Sequence, residues 1–134
     1  MSKLEDLQKM HAILEAKYQV QQQAFQALIA EESALRQKLS RLSQQVADAA
    51  AGDGLQMRAI GADMMWKAWV GRTKAALNIE LAQVLARKEY HVGQVRAAFG
   101  KAQAAKSLYE AQLRAAQEKQ SRTQLNQAIN TSLY

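Results

Sequence analysis

Residues that could carry out chemistry are few in this chain, and their spacing forms no obvious catalytic group. The chain has no cysteine, which excludes thiolate zinc sites and cysteine nucleophiles. Its two histidines, His11 and His91, are far apart in sequence, and a lone histidine on a long helix is most often a polar seam or surface residue. Glu31 and Glu32 are adjacent, so on a helix they point in different directions. We therefore expect no enzyme, no metal site and no cofactor.

The Gly52-Asp53-Gly54 segment does not resemble a phosphate-binding loop. It is not followed by the Gly-Lys-Ser/Thr that such a loop requires, and no strand pattern precedes it. Glycine instead reaches the left-handed conformation that ends a helix without steric cost. This segment is the natural point for a helix to stop and the chain to turn.

The elements that would position any functional residue are helices. The 134 residues include no proline, and alanine (26) and glutamine (18) make up a third of them. Both are good helix formers, and alanine buries little area per residue, which argues against a deep globular core. The composition predicts an elongated all-α fold.

The first helix, predicted over residues 3–50, shows an apolar repeat of three and four residues. This spacing is typical of a left-handed coiled coil, and a helix of this length would extend about 70 Å at ~1.5 Å per residue. Eleven of the fourteen seam positions are apolar. They are Leu4, Leu7, His11, Leu14, Tyr18, Gln21, Phe25, Leu28, Glu32, Leu35, Leu39, Leu42, Val46 and Ala49.

The repeat resumes in a second helix, predicted over residues 73–117. Beyond it the same register is polar, so residues 118–134 are expected to form a frayed or partner-dependent tail. Nine of the eleven seam positions are apolar. They are Leu81, Leu85, Lys88, Val92, Val95, Phe99, Ala102, Lys106, Tyr109, Leu113 and Ala116.

Two such helices can fold back as an antiparallel two-helix coiled-coil hairpin, residues 1–134 forming one domain. If residues 51–72 form an irregular tip, facing residue numbers sum to about 124 and apolar residues meet apolar residues. A tight turn at residues 52–54 would leave Tyr109 and Leu113 unpaired, so we favour the wide tip. The expected pairs are Leu39–Leu85, Leu28–Val95, Phe25–Phe99, Leu14–Tyr109 and Leu7–Ala116, with Glu32 near Lys88.

The predicted tip is rich in aromatic and thioether side chains. Met64, Met65, Trp66 and Trp69 lie within six residues of one another. Such residues are enriched where proteins contact partners, and a two-helix hairpin has little interior in which to bury them. They form either a partner-binding surface or a hydrophobic plug that closes the coiled coil, and one face of the cluster could serve each role.

Charge is uneven along the chain. Residues 1–54 carry six Lys/Arg against seven Asp/Glu, and residues 55–134 carry twelve against five, which together give the net charge of +6. We predict that Arg87, Arg96, Lys101 and Lys106 bind a partner. A solvated surface and an acidic protein partner both fit this pattern, whereas nucleic acid is not expected because no stacking aromatics are interleaved with the cations.

No targeting or membrane-spanning pattern stands out. The N-terminus, MSKLEDLQKM, has acidic residues and no apolar run, and 18 consecutive apolar residues occur nowhere. We therefore expect a soluble cytoplasmic protein.

The second half of the chain carries a more specific pattern. It runs through Val92, Val95, Arg96, Phe99, Ala102, Lys106, Leu108 and Leu113. With two heptad segments and an aromatic centre, it resembles the FliJ-type flagellar export proteins. The resemblance implies a stalk similar to that of rotary ATPases, which binds the export ATPase ring, contacts the export gate and associates with export chaperones of a bacterial type III apparatus, at the cytoplasmic side of the membrane.

Two other functions are compatible with the same residues. A generic coiled-coil scaffold would form a homodimer, with two hairpins packed as a four-helix bundle. A basic helical nucleic-acid-binding protein would bind its target with a steep salt dependence. Measurements of size and of binding at low salt distinguish them.

Overall fold

Two long helices make up the fold. The computed structural model describes residues 2–51 and 60–133. Helix α1 is Lys3–Ala51 and helix α2 is Ile60–Leu133. Acidic residues lie in the first turn of each helix, where their charge interacts favourably with the positive end of the helix dipole. They are Glu5 and Asp6 in α1 and Asp63 in α2. The helices form an antiparallel hairpin, and the predicted all-α fold class is confirmed.

The apolar seam predicted for α1 is confirmed almost throughout. Thirteen of its fourteen positions are buried or half-buried, and the exception is Val46. Leu28, Leu35 and Leu42 are the most buried of them. The three-and-four spacing therefore identified the packing face of α1 from sequence alone.

The chain groups into two compact units, each holding a segment of both helices. The terminal unit contains residues 1–22 and 94–134, and the central unit contains residues 23–93. The sequence had been interpreted as one hairpin domain of residues 1–134.

The core of the central unit is a small leucine–valine cluster. Leu28, Leu35 and Val84 are buried in it, with the partly buried Leu77 and Leu81 packed alongside. Val84 is 3% exposed whereas Leu85, the predicted seam residue, is 37% exposed. The prediction that Leu85 packs in the seam is therefore wrong, and Val84 takes that place.

In the terminal unit the seam of α2 consists largely of alanine. Ala102 and Ala105 are buried, and Tyr109 stacks on His11 with ring centroids 6.3 Å apart. Phe99 packs against Tyr18 with tilted rings whose centroids are 5.3 Å apart. The numbers of Tyr109 and His11 sum to 120, and those of Phe99 and Tyr18 sum to 117, whereas the sequence predicted a sum of about 124. Tyr109 therefore pairs with His11, one helical turn from the predicted Leu14. Phe99 pairs with Tyr18 and not with the predicted Phe25.

The inward side chains of α2 are smaller than the sequence predicted. The predicted seam placed the bulkiest residues inward. At every second seam position, however, the residue of α2 that faces inward is the one before the predicted residue, as at Val84, Ala98 and Ala105. Small side chains let two helix backbones approach closely. Phe99 is then displaced to the flank, where it is 45% exposed and still covers Tyr18.

The prediction of an irregular tip over residues 51–72 is wrong for the residues of that range that the structure describes, which are all helical. Residues 60–72 belong to α2, and the half-buried Asp63, Trp66 and Val70 continue the seam towards its first turn. The missed signal was a pair of consecutive four-residue steps, Thr73–Leu77–Leu81, which interrupts the strict heptad as a stutter. The predicted turn at Gly52-Asp53-Gly54 lies outside the described residues.

The tail is helical as far as Leu133, so it extends α2 and does not end it at residue 117. Every residue from Arg114 to Leu133 is exposed. Since Tyr109 faces His11, the first residue of α1 faces about residue 117. We call residues 118–133 the overhang, because α1 has no residues opposite them.

Candidate interaction surfaces

Aromatic and methionine side chains near the start of α2 divide between two faces. Trp66 and Val70 line a groove against α1, with Val46, Ala49 and Ala50 on the other side. Met64, Met65 and Trp69 are 66%, 74% and 47% exposed. Helical geometry requires this division, because residues 66 and 70 share one face while 65 and 69 share another. We call Met64, Met65 and Trp69 the Trp/Met surface.

A polar pair lies in the seam of the central unit. Lys88 Nζ donates to Glu32 Oε1 at 2.7 Å, and Arg36 Nε donates to Glu32 Oε2 at 2.8 Å. The predicted approach of Glu32 to Lys88 is confirmed. The hydrogen bond from Lys88 has the largest effect on the pKa of Glu32, followed by that from Arg36, and both lower this pKa below its ordinary value. A charged pair among apolar neighbours favours one register over others, since slippage would separate the charges.

A second ion pair lies beside the first. Arg87 approaches Glu31 at 3.5 Å, with both side chains more than half exposed. The sequence had assigned Arg87 to partner binding. Exposed ion pairs of this kind contribute little to stability.

The other predicted cations belong to the terminal unit. Arg96, Lys101 and Lys106 are all exposed. Within residues 2–51 and 60–133, none of the three forms an ion pair. Their charge is therefore directed to solvent and available to an acidic partner.

The two histidines are half-buried seam residues, as expected. His11 stacks on Tyr109, and His91 meets the ring of Tyr90 edge-on at 5.6 Å. In the part of the chain that the structure describes, no group of three or more His, Cys, Asp or Glu side chains could hold a metal ion. Aromatic packing accounts for the positions of both rings.

The terminal unit has a groove that the sequence did not predict. Along one side of the seam, α1 and α2 leave an open depression of about 490 Å³ that is mostly apolar. The signal that could have revealed it is the density of alanine in α2 after Arg96, because alanines on adjoining faces leave a depression beside the seam. We call it the alanine groove, and it is lined by Leu14, Ala16, Lys17, Val20, Gln21, Gln94, Ala97, Ala98 and Lys101.

Comparison with known proteins adds no relative. No protein-family model, curated protein or solved structure matches this chain significantly. Neither α1 nor the described part of α2 contains a stretch both long and apolar enough to cross a membrane. Functional inference therefore rests on the hairpin and its surfaces.

Proposed function

We propose that this chain is a non-enzymatic stalk or adaptor of a bacterial flagellar (type III) export apparatus, coupling the export ATPase ring to the export gate and binding export chaperones. Its place of action is the cytoplasmic side of the membrane-associated apparatus. Recognition of these partners falls to the Trp/Met surface and to the cations Arg87, Arg96, Lys101 and Lys106.

One observation carries the proposal: several large apolar side chains of α2 are exposed, while few side chains are buried between the helices. Among the described residues only six hydrophobic side chains are buried, and two of these are alanines. Meanwhile Met65 and Trp69 remain exposed. Exposed tryptophan and methionine are characteristic of protein-binding surfaces, and a thin seam leaves most of each helix available for contact.

The same hairpin suits a mechanical role. Two continuous helices resist bending better than irregular chain, and the Glu32–Lys88 pair opposes sliding of one helix along the other in the central unit. An adaptor with fixed register presents its side chains at constant positions. It therefore transmits a displacement between partners by stiffness, with no reaction chemistry.

Co-purification from cells that build the export apparatus tests the proposal. The tagged wild-type chain is expected to retain the export ATPase and export-gate subunits. The variant Met65→Ala/Trp69→Ala is expected to lower their recovery about tenfold, since losing an exposed aromatic anchor typically costs ~1–2 kcal/mol or more. Ile79→Ala is the matched control, because Ile79 is also an exposed apolar residue of α2, at 60%.

Two results would contradict these assignments. If the wild-type chain retains neither ATPase nor gate subunits, the export role is wrong. If Met65→Ala/Trp69→Ala recovers them as fully as Ile79→Ala does, the Trp/Met surface is not the binding site.

A dimerising scaffold is the second candidate, and the overhang favours it. Leu125, Ile129 and Leu133 lie on one helical face at four-residue spacing and are 60%, 45% and 71% exposed. Residues 123–133 carry no charged side chain, so a second overhang could pack against them without like-charge repulsion. Sedimentation equilibrium of the wild-type chain and of Leu125→Ser/Ile129→Ser decides: a dimer that the substitutions dissociate supports the scaffold.

A further inference from the structure

The alanine groove has the dimensions and surface of a helix-docking site. Its α2 wall contains the exposed Ala97 and the half-buried Ala98, and its α1 wall contributes Leu14 and Val20, of which Val20 is 64% exposed. Alanine walls present little more than Cβ atoms, so a third helix could approach to the 8–10 Å typical of packed helices. An apolar groove of this kind accepts an amphipathic helix through residues spaced at three and four.

The charges at the edges of the groove define the chemistry of the helix. Lys17 on α1 and Lys101 on α2 line it, and no acidic residue does. In the described ranges neither lysine is ion-paired. The terminal unit as a whole has nine Lys/Arg against five Asp/Glu, a net charge of +4. An acidic helix fits this surface and a basic one is repelled.

We propose that the alanine groove binds a single amphipathic helix of another protein, with its apolar stripe against Ala97 and Val20 and with flanking carboxylates paired to Lys17 and Lys101. This docking proposal rests on the proposed adaptor function, which assigns Lys101 to partner binding. It deepens that function by specifying the docking element as one acidic helix, bound along the hairpin and separate from the Trp/Met surface.

Binding of a designed peptide tests the inference directly. The probe is a fluorescent 21-residue helical peptide with Leu and Ala at three-and-four spacing and Glu on both flanks, and a second peptide replaces each Glu with Lys. By fluorescence anisotropy, the Glu peptide is expected to bind the full-length chain saturably and more tightly at low salt. Lys17→Glu/Lys101→Glu is expected to weaken it about tenfold and to bind the Lys peptide in its place.

Matched variants separate the groove from general charge and from folding. Lys9→Glu/Lys119→Glu changes the same charge on lysines of the same unit that do not line the groove, and is expected to bind the Glu peptide like the wild-type chain. Ala97→Leu fills the groove and is expected to abolish binding, whereas Ala104→Leu, at an exposed position outside it, is expected to preserve binding. Circular dichroism confirms that each variant remains helical.

Three outcomes would overturn the proposal. The first is no saturable binding of the Glu peptide to the wild-type chain at low salt. The second is equal binding to the wild-type chain, Lys17→Glu/Lys101→Glu and Ala97→Leu. The third is a wild-type dimer that Ala97→Leu converts to a monomer, which would make a second copy the occupant. These outcomes are independent of ATPase and gate recovery, so failure here and failure of the export role are distinguishable.

Discussion

Glu32 is a carboxylate whose ionisation is coupled to the packing of the two helices. It accepts hydrogen bonds from Lys88 of α2 and Arg36 of α1, and these partners hold its pKa below the ordinary value of 4.5. A carboxylate whose folded-state pKa is depressed stabilises the fold above its unfolded-state pKa. That stabilisation is lost as the pH falls through the depressed folded-state pKa.

We therefore predict that Glu32→Gln lowers the midpoint of thermal unfolding at pH 7 and flattens its decline below about pH 5. The amide cannot carry the charge that Lys88 and Arg36 stabilise, so acidification removes less from the variant than from the wild-type chain. Circular dichroism melts at several pH values between 7 and 3 measure this. Glu89→Gln is the control, since Glu89 is an exposed carboxylate of the same unit; identical profiles for the two variants would contradict the prediction.

At the scale of the element, the position of the α2 seam determines which residues stabilise the fold. Val84 is 3% exposed and Leu85 is 37% exposed. We predict that Val84→Ala lowers the free energy of unfolding by about 2 kcal/mol, because two buried methyl groups are lost and a cavity remains. Leu85→Ala is expected to cost about 1 kcal/mol although it removes more atoms. Urea unfolding measures both, and the reverse order would restore the seam predicted from sequence.

The overhang is a second feature at this scale. Its residues, 118–133, are helical and exposed, with no α1 residue opposite them. An isolated helix of this length is marginal in water, because packing supplies most helical stability in proteins. We predict that backbone amides of the overhang exchange hydrogen with solvent much faster than those of residues 28–42. Hydrogen–deuterium exchange by mass spectrometry measures this, and equal protection of the two segments in a monomer would contradict it.

At the scale of the whole molecule, heptad spacing predicted the helices, the α1 seam and the Glu32–Lys88 pair, because each depends on residue type and period alone. The α2 seam was predicted less well. Val84 and Leu85 are both apolar and adjacent, so residue type does not select between them, and only the packing against α1 shows that Val84 faces inward. The alanine groove was missed because it lies between two helices and depends on their register.

The alanine seam also sets how the molecule responds to temperature. The chain exposes 10192 Å², compared with about 7000 Å² expected for a compact protein of its mass. Unfolding therefore hydrates less additional surface than it would in a compact domain of this mass, and the heat-capacity increment should fall below the ~12–15 cal/mol/K per residue of typical domains. The stability curve is correspondingly flatter, so its curvature with temperature is smaller than in a compact domain of the same length.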